Sequence, residues 1–559
     1  MDNFSIAENF SLLSKLMDIH GENSFKSKTY SIAAFNIEKL PVQLSDMPRE
    51  KIFSTKGIGE SVGKKIVEML DTGRLSVLDN YIQQTPPGVV EMLNIKGLGP
   101  KKIHTLWKEL GIETIGELLY ACGENRLMLY KGFGEKTQNN IKEAIAFYLQ
   151  HQGSFLYAQI DEVFSQVKTY LEKTFAPHKV FVTGAFRRQE PVIEELEFVI
   201  DLPNENIKPK FQTAQPPELL EERNDRLLYK LKNGLRLRLY TGKQIAAERL
   251  FLTTGTEEFV SAFKKAFPEI DYKKLTNDND DTAVFEQAGI PYIPPCLRES
   301  ASIIKVAEKK SLPALIETKD INGIIHSHSN WSDGINTIEE MANECIKKGM
   351  EYLVISDHSK AAAYANGLTE ERIKEQHRYI DSLNKNLAPF RVFKSIECDI
   401  LGDGSMDYSD DVLASFDLVI ASVHSNLTMT EEKAMSRLLK AISNPHVRIL
   451  GHMTGRLLLS RNGYPLNHKK IIDACAEKSV VIEINAHPRR LDMDWRWIGY
   501  ALEKGVLLSI NPDAHAIEGY NDIKYGVLAA QKGGLTKERN LSSFSLKEFE
   551  KWLSEVRKK

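Results

Sequence analysis

From Gly323 onward, short apolar runs alternate with stretches of helical periodicity: Gly323 to Ile325, Tyr352 to Ile355, Val392 to Ile396, Leu418 to Val423, Val447 to Leu450, Val480 to Ile484 and Leu507 to Ile510. Seven apolar runs separated by helices predict a βα repeat, the pattern of a parallel sheet or barrel. In the middle of the chain, Ile160 to Phe175 is amphipathic and predicts a helix. Lys179 to Thr183 and Leu196 to Leu202 predict strands, as does the alternation of Leu235-Arg236-Leu237-Arg238-Leu239. Upstream, one pattern recurs three times, at Lys56-Gly57-Ile58-Gly59, Lys96-Gly97-Leu98-Gly99 and Lys131-Gly132-Phe133-Gly134, each copy leading into a lysine-bearing helical stretch. Two glycines around one apolar residue allow a tight hairpin between helices, with the apolar side chain in the core and bare amides facing outward as an anion site.

The chain has 559 residues, 42% hydrophobic and 27% charged, so several folded domains are expected and a largely disordered chain is excluded. No apolar run approaches the roughly 18 residues that span a bilayer, and MDNFSIAENF lacks a signal-peptide pattern. A soluble, cytoplasmic protein without a membrane partner is the expectation. Cys122, Cys296, Cys345, Cys398 and Cys475 are scattered without a CxxC pair, which predicts neither disulfides nor a thiolate zinc site. Net charge is −3, and residues 1–150 carry 18 basic and 18 acidic side chains. Any phosphate contact there must therefore come from oriented amides and a few local lysines.

Histidine changes the picture: ten of 14 lie beyond residue 325. Six of the seven C-terminal runs are closely followed by His, Asp or Glu, namely His326 and His328, Asp357 with His358, Glu397, His424, His452, and Asp513 with His515. Barrel strand ends converge on one face, so these side chains are expected to meet there. His326 and His328, two apart on extended chain, are expected to point the same way and share a metal. Asp357 and Asp399 are expected either to orient ligands or to serve in ordinary turns.

The glycine hairpins resemble the helix-hairpin-helix motif, which grips DNA phosphates without reading sequence; Gly57, Gly59, Lys65, Gly97, Gly99, Lys101, Gly132 and Gly134 are the corresponding DNA-binding candidates. The segment Ser54 to Ile66 with Tyr30 resembles the small N-terminal domain of X-family DNA polymerases, where a lysine can act as an abasic-site lyase. Lys65 stands at that place. Gly184-Ala185-Phe186-Arg187-Arg188 and the strand after it resemble the nucleotidyltransferase signature of those polymerases, a GSxRR turn followed by Asp-x-Asp. Here Ala185 replaces the serine, Glu195 and Glu197 stand at the Asp-x-Asp positions, and Arg238 stands at the third acid. Mg²⁺ demands tight octahedral geometry, so a palm with Arg188 retained and these replacements is expected to keep its fold and lose nucleotidyl transfer. Arg238 is expected to pair with Glu195 or Glu197, and Thr253-Thr254-Gly255 departs from the aromatic turn that supports a nucleotide. Asp281 to Leu297 continues the resemblance through a thumb.

From His326-Ser327-His328 to Asp333 the C-terminal part resembles the PHP phosphoesterases. That resemblance implies three metal groups: His326, His328, Glu397 and Asp513; Glu397, His424 and His452; and Asp333, His358 and His515. Two to three divalent ions are implied, Mn²⁺, Zn²⁺ or Fe²⁺ being the better match to mixed imidazole and carboxylate ligands. Glu397, Asp513, His326 and Arg456 are the catalytic candidates, with Arg489 and Arg490 further phosphate-binding cations.

The whole chain thus resembles bacterial and archaeal X-family DNA polymerases fused to a PHP domain. The implied fold is multidomain: α-helical helix-hairpin-helix domains, an α+β palm and thumb, and a distorted (β/α)7 barrel. Expected boundaries are 1–80 lyase-like, 81–150 fingers-like, 151–245 palm, 246–318 thumb and linker, and 319–559 PHP. The implied activity is metal-dependent 3′-5′ exonuclease action in DNA repair, with abasic-site endonuclease action as an addition, on gapped or 3′-ended DNA without sequence preference, by a monomer. The rivals are an active X-family polymerase, a small-molecule phosphatase of the histidinol phosphatase type, and a noncatalytic DNA scaffold. The glycine hairpins disfavour the phosphatase, and the full ligand set disfavours the scaffold.

Overall fold

The computed structural model describes residues 1–55, 57–123, 127, 130, 132–150, 153–211, 216–232, 234–242, 246–272, 275, 280–459 and 462–556. It divides into two units, Met1–Gln152 and Gly153–Lys559.

The first unit is helical. Its opening helices, α1 (Asn3–Ile19) and α2 (Ser24–Glu38), are capped by Asp2 and Asn23, whose side chains accept from free first-turn amides. The three glycine hairpins follow one plan. The first glycine of each is left-handed, at φ 87° for Gly57, 87° for Gly97 and 94° for Gly132. The intervening Ile58, Leu98 and Phe133 are buried in the helical core. The second glycine opens the next helix with ordinary extended angles, φ −79° and ψ 166° at Gly59 before α3 (Glu60–Thr72), and φ −84° and ψ 164° at Gly99. A side chain added at Gly59, Gly99 or Gly134 would meet nothing within 4 Å, so these glycines face open space. Lys96 and Lys101 are exposed beside the second hairpin; Lys56 and Lys131 lie outside the described residues. Lys65 on α3 holds its ammonium 5.6 Å from the Tyr30 ring centre.

The second unit begins with α4 (Tyr157–Phe175), three residues longer at its start than the periodicity predicts, because Gln159 caps the backbone of Leu156. Its Phe164 packs on Phe186 of the helical turn Gly184–Arg187 and on Phe198 of a five-stranded sheet. The strands are β1 (Val180–Thr183), β2 (Glu195–Ile200), β3 (Glu218–Arg223), β4 (Arg226–Lys230) and β5 (Arg236–Tyr240), in the order β1-β2-β5-β4-β3. Only β2 and β5 run parallel, and that pairing sets Glu195 beside Arg236 and Glu197 beside Arg238.

All seven C-terminal runs form strands: β6 (Gly323–Ser327), β7 (Tyr352–Ile355), β8 (Arg391–Asp399), β9 (Leu418–Ser422), β10 (Ile449–Leu450), β11 (Val481–Asn485) and β12 (Leu508–Asn511). They pair in parallel in chain order, and a bridge from Ser327 to Ala514 brings the last connection back to the first strand, nearly closing the barrel. Burial is complete along six of these strands, as expected of a parallel sheet covered on both faces, and is broken on β8 at Arg391 and Lys394.

Two buried ion clusters tie the second unit together. Asp281 accepts two bonds from Arg187, at 2.9 and 3.1 Å, and another from the fully buried Arg298. Lys532, at the end of α5 (Ile523–Lys532), reaches from the barrel to Glu190 at 2.9 Å, Glu299 at 2.5 Å and the carbonyl of Arg188 at 2.8 Å. Burial opposes ionisation of Asp281, but Arg298 and Arg187 outweigh it and hold its carboxyl far below the usual range. Its stabilisation is therefore complete above the unfolded-state value of about 3.9 and is lost as pH falls below it. Asp281→Ala, which leaves two buried guanidinium groups uncompensated, is expected to destabilise the protein by about 3–5 kcal/mol in urea unfolding at pH 7. The difference from the unmodified protein should shrink as the titration is repeated at decreasing pH below about 4.

Candidate metal centre

The C-terminal ends of the barrel strands collect the predicted ligands around one carboxylate. Glu397, at the inner end of β8, is fully buried. Nε2 of His326, His424 and His452 lie 3.2, 3.2 and 3.0 Å from its Oε1, and Nδ1 of His358 lies 3.0 Å from its Oε2. His328 approaches the same oxygen to 3.7 Å and Asp513 to 3.1 Å.

His326 and His328 meet Asp513 by a different route from the one the sequence predicts. His326 is not extended: its φ is +63°, the β6 to β7 register slips between Ile324 and Ser327, and Asp513 is itself at φ +52°. This bulge turns both imidazoles inward, so that Nε2 of His326 and of His328 lie 3.4 and 3.1 Å from Asp513 Oδ1. Left-handed backbone at two non-glycine residues is strain of the sort that concentrates at functional sites.

Among the described residues, three groups have ligand atoms within 4.8 Å of one another: His326, His328, Glu397 and Asp513; His358, Glu397 and His424; and His328, Asp333, His358 and His515. The first is the set implied by the sequence. In the second, His358 lies where His452 was expected, though His452 still reaches Glu397. In the third, His328 joins the expected three. Nε2 of His326 and Nδ1 of His328 are buried without a hydrogen bond. Together with the imidazole and carboxylate donors, that suits divalent cations such as Mn²⁺, Zn²⁺ or Fe²⁺.

The electrostatics are consistent with a cluster built around cations. Burial disfavours the charged form of Glu397, yet His424 and His326 overcome it and hold the carboxyl well below the usual range. Burial, reinforced by His515 and His358, drives His328 down to about 3. Burial alone would lower His424 and His515, but Glu397 raises the former to about 10 and Asp333 the latter to about 9.

Of the two acids left open by the sequence, Asp399 touches a histidine of the cluster and Asp357 holds a loop. Asp399 Oδ1 lies 3.2 Å from Nδ1 of His424. Asp357 accepts from Ser329 N at 2.8 Å, Ser329 Oγ at 2.7 Å, Ser332 Oγ at 2.5 Å and Gln376 at 2.6 Å, fixing the loop that joins His328 to Asp333. Arg456, a catalytic candidate from the sequence, is fully engaged elsewhere: it bonds Asp494 at 2.5 Å, the carbonyl of Arg490 at 2.9 Å and that of Leu491. Arg489 is exposed, whereas Nε of Arg490 lies 3.6 Å from Asp513. The sequence reading passed over Glu483 and Asn485. Both lie on β11, the one strand with no ligand after it, and the available signal was a carboxylate inside an otherwise apolar run.

In the palm, Arg238 pairs with Glu195 through Nε at 2.5 Å and Nη2 at 3.1 Å, and not with Glu197. Glu197 accepts from Tyr240 at 2.9 Å and from the amide of Ala185 at 3.2 Å. Burial pushes its carboxyl upward. A Cβ at Gly184 would lie 1.7 Å from Glu197 Oε1, so the carboxylate rests directly on the glycine turn. Arg188 bonds Glu299 at 3.1 Å and the carbonyl of Thr254 at 2.7 Å, and Thr253 and Thr254 bond Thr183.

Residues 1–75 match the helix-hairpin-helix domain, 89–146 the SAM-like helix-hairpin-helix tandem, and 325–487 the PHP domain. The chain is 34% identical over 555 residues to the DNA polymerase/3′-5′ exonuclease PolX of Bacillus subtilis (strain 168), covering 96% of both proteins. The chain belongs to the PolX family. A second relative, named as a probable phosphatase of Thermoanaerobacter sp. (strain X514), is 24% identical over 245 residues, 42% of this chain and 95% of its own length. This PolX member therefore joins helix-hairpin-helix modules to a PHP domain whose strand ends gather imidazoles and carboxylates.

Because His424 and His515 carry protons at neutral pH in the metal-free cluster, ion binding must release them. Mn²⁺ affinity is expected to rise with pH between about 6 and 9, with net proton release seen by calorimetry in buffers of different ionisation enthalpy. His326→Ala with His328→Ala should abolish the tightest binding.

Proposed function

We propose that this protein is a metal-dependent 3′-5′ DNA exonuclease acting in DNA repair, with the PHP barrel as its catalytic domain and a palm that no longer transfers nucleotides. The observation that carries the first part is the gathering of eight imidazole and carboxylate side chains around Glu397. Divalent ions held there would acidify water and neutralise the oxygens of a phosphodiester. The protein's own residues do the remaining work. Glu397, His326, His328 and Asp513 hold the innermost position, and Asp333 and His515 line the side open to solvent, with side-chain exposures of 32% and 42%. Arg490 is the arginine best placed to meet an approaching phosphate.

The inactive-palm reading rests on who occupies the glycine turn. Backbone amides in such turns are anion sites. Here Glu197 takes the amide of Ala185 as an internal anion, and Arg188, Thr253 and Thr254 are committed to the protein. Arg238 places a fixed cation beside Glu195 where a metal would otherwise be held. The relative's printed name includes DNA polymerase; we infer that this chain keeps the exonuclease half of that name.

DNA grip is assigned to the glycine hairpins. Gly59, Gly99 and Gly134 face open space at the starts of helical segments, and such amides contact phosphates whatever the base. Ordinary backbone angles at Gly99 make it the cleaner position to test, since Gly97 is left-handed and a valine there would disturb the hairpin itself.

With Mn²⁺ and a labelled primer-template, the protein is expected to shorten the primer with or without nucleotides, and His326→Ala to lower that rate at least about 100-fold. Nucleotide addition by His326→Ala in Mg²⁺ would overturn the inactive-palm reading. Arg238→Ala is expected to cost about 2 kcal/mol of stability in denaturant unfolding while leaving exonuclease rates unchanged. Gly99→Val should weaken DNA binding several-fold for all sequences alike, as read by anisotropy on unrelated duplexes; altered sequence preference would contradict the phosphate-grip model.

A further inference from the structure

Six barrel strands deliver an imidazole or carboxylate to the cluster at or just past their C-terminal ends, whereas the imidazole after β11, His487, accepts from the amide of Arg489 instead. β11 carries Glu483 within the strand, fully buried. Oε2 of Glu483 lies 2.6 Å from Nδ1 of His326 and accepts from Asn511 Nδ2 at 2.8 Å. Oε1 accepts from the backbone amide of His452 at 3.1 Å and from Asn485 Nδ2 at 3.0 Å. Independent partners fix both amide orientations. The amide of His487, which can only donate, bonds Asn485 Oδ1 at 3.1 Å, and Ser509 adapts its hydroxyl to Asn511 Oδ1 at 2.6 Å while the Glu483 carboxylate accepts from Nδ2, so each NH₂ group faces Glu483.

Two consequences follow. Three of the neighbours of this carboxylate can only donate, and together with His326 they fill its four acceptor positions; Glu483 has no lone pair left for an ion and is not itself a ligand. An acceptor-only carboxylate also requires His326 to carry its proton on Nδ1. That makes Nε2 the nitrogen offered to an ion, facing the space shared with Glu397 and Asp513 at 3.2 and 3.4 Å. Asn485 Nδ2 is in turn 3.0 Å from Asp513 Oδ2.

We propose that Glu483 is a positioning residue of the metal centre: it sets the tautomer of His326 and, through the His452 amide and Asn485, holds three ligands from three different strand ends in register. The proposal rests on the reading that the cluster binds divalent ions, and it adds which residue governs the innermost site. A carboxylate behind a ligating imidazole raises its basicity and fixes its orientation, and losing such a partner typically costs 10–100-fold in metal affinity.

The test uses the full chain. Glu483→Gln keeps the shape but turns one acceptor into a donor, which opposes the Nδ1 proton of His326 or one of the amides. Mn²⁺ titration, with free ion followed by electron paramagnetic resonance, is expected to show the tightest site weakened by about 10–100-fold. Glu483→Asp, which keeps the acceptor charge, should recover part of that loss. In parallel, ¹⁵N-histidine spectra of the metal-free unmodified protein, with His326 assigned by comparison with His326→Ala, should show the proton on Nδ1. This second measurement does not depend on any variant folding or on any ion binding. Unchanged Mn²⁺ affinity in Glu483→Gln, or a His326 ring without a proton on Nδ1, would overturn the proposal. If the unmodified protein loads Mn²⁺ but leaves DNA intact, the exonuclease reading fails and the role of Glu483 stands.

Discussion

Everything in the barrel turns on the cost of burying the Glu397 carboxylate. An isolated ionised acid in an apolar interior is expensive, and it persists only where opposite charge or hydrogen bonds surround it. Five imidazoles do so here, from four strand ends on the same face of the barrel. The parallel topology makes this possible because it points all strand ends one way. The left-handed backbone at His326 and Asp513 is the local strain accepted to bring the last two ligands inward. In the metal-free state protons on His424 and His515 substitute for cations, which is why the cluster is both stable as described and ready to exchange protons for ions.

The palm solves the same electrostatic problem in the opposite way. Its carboxylates are balanced by permanent partners within the fold, Arg238 on Glu195 and the Tyr240 hydroxyl and Ala185 amide on Glu197. A proton can leave an imidazole, but a guanidinium does not deprotonate in proteins, so the partner of Glu195 cannot be displaced by a titration step. Arg188, Glu299 and Lys532 add a strut from palm to barrel. The segment that resembles a nucleotide site in sequence thus also buttresses the neighbouring barrel.

Much of this was legible beforehand, for identifiable reasons. Buried parallel strands are continuous apolar runs, so all seven barrel strands could be read from composition, and residues just past such runs could be assigned to one face. The hairpin glycines were visible because left-handed turns favour that residue. The rest depended on neighbours distant in sequence. That His326 leaves the extended conformation is set by pairing with β7, and the commitment of Arg456 to Asp494 is a matter of tertiary packing. The choice of Glu195 over Glu197 by Arg238 depends on side-chain reach across the parallel β2 and β5 pair. Glu483 was missed because the search looked beyond the apolar runs, and this acid lies inside one.

The central claim is that cation-assisted chemistry on DNA resides in the barrel and that the palm is closed to metal. Anomalous diffraction at the manganese edge, from crystals of the full chain grown with Mn²⁺ and a DNA 3′ end, tests it most directly. The account predicts peaks among His326, His328, Glu397 and Asp513 and toward Asp333 and His515, with the terminal phosphate beside them and no peak between Glu195 and Glu197. Manganese and a DNA terminus at Glu195 and Glu197, with the barrel ligands empty, would contradict it.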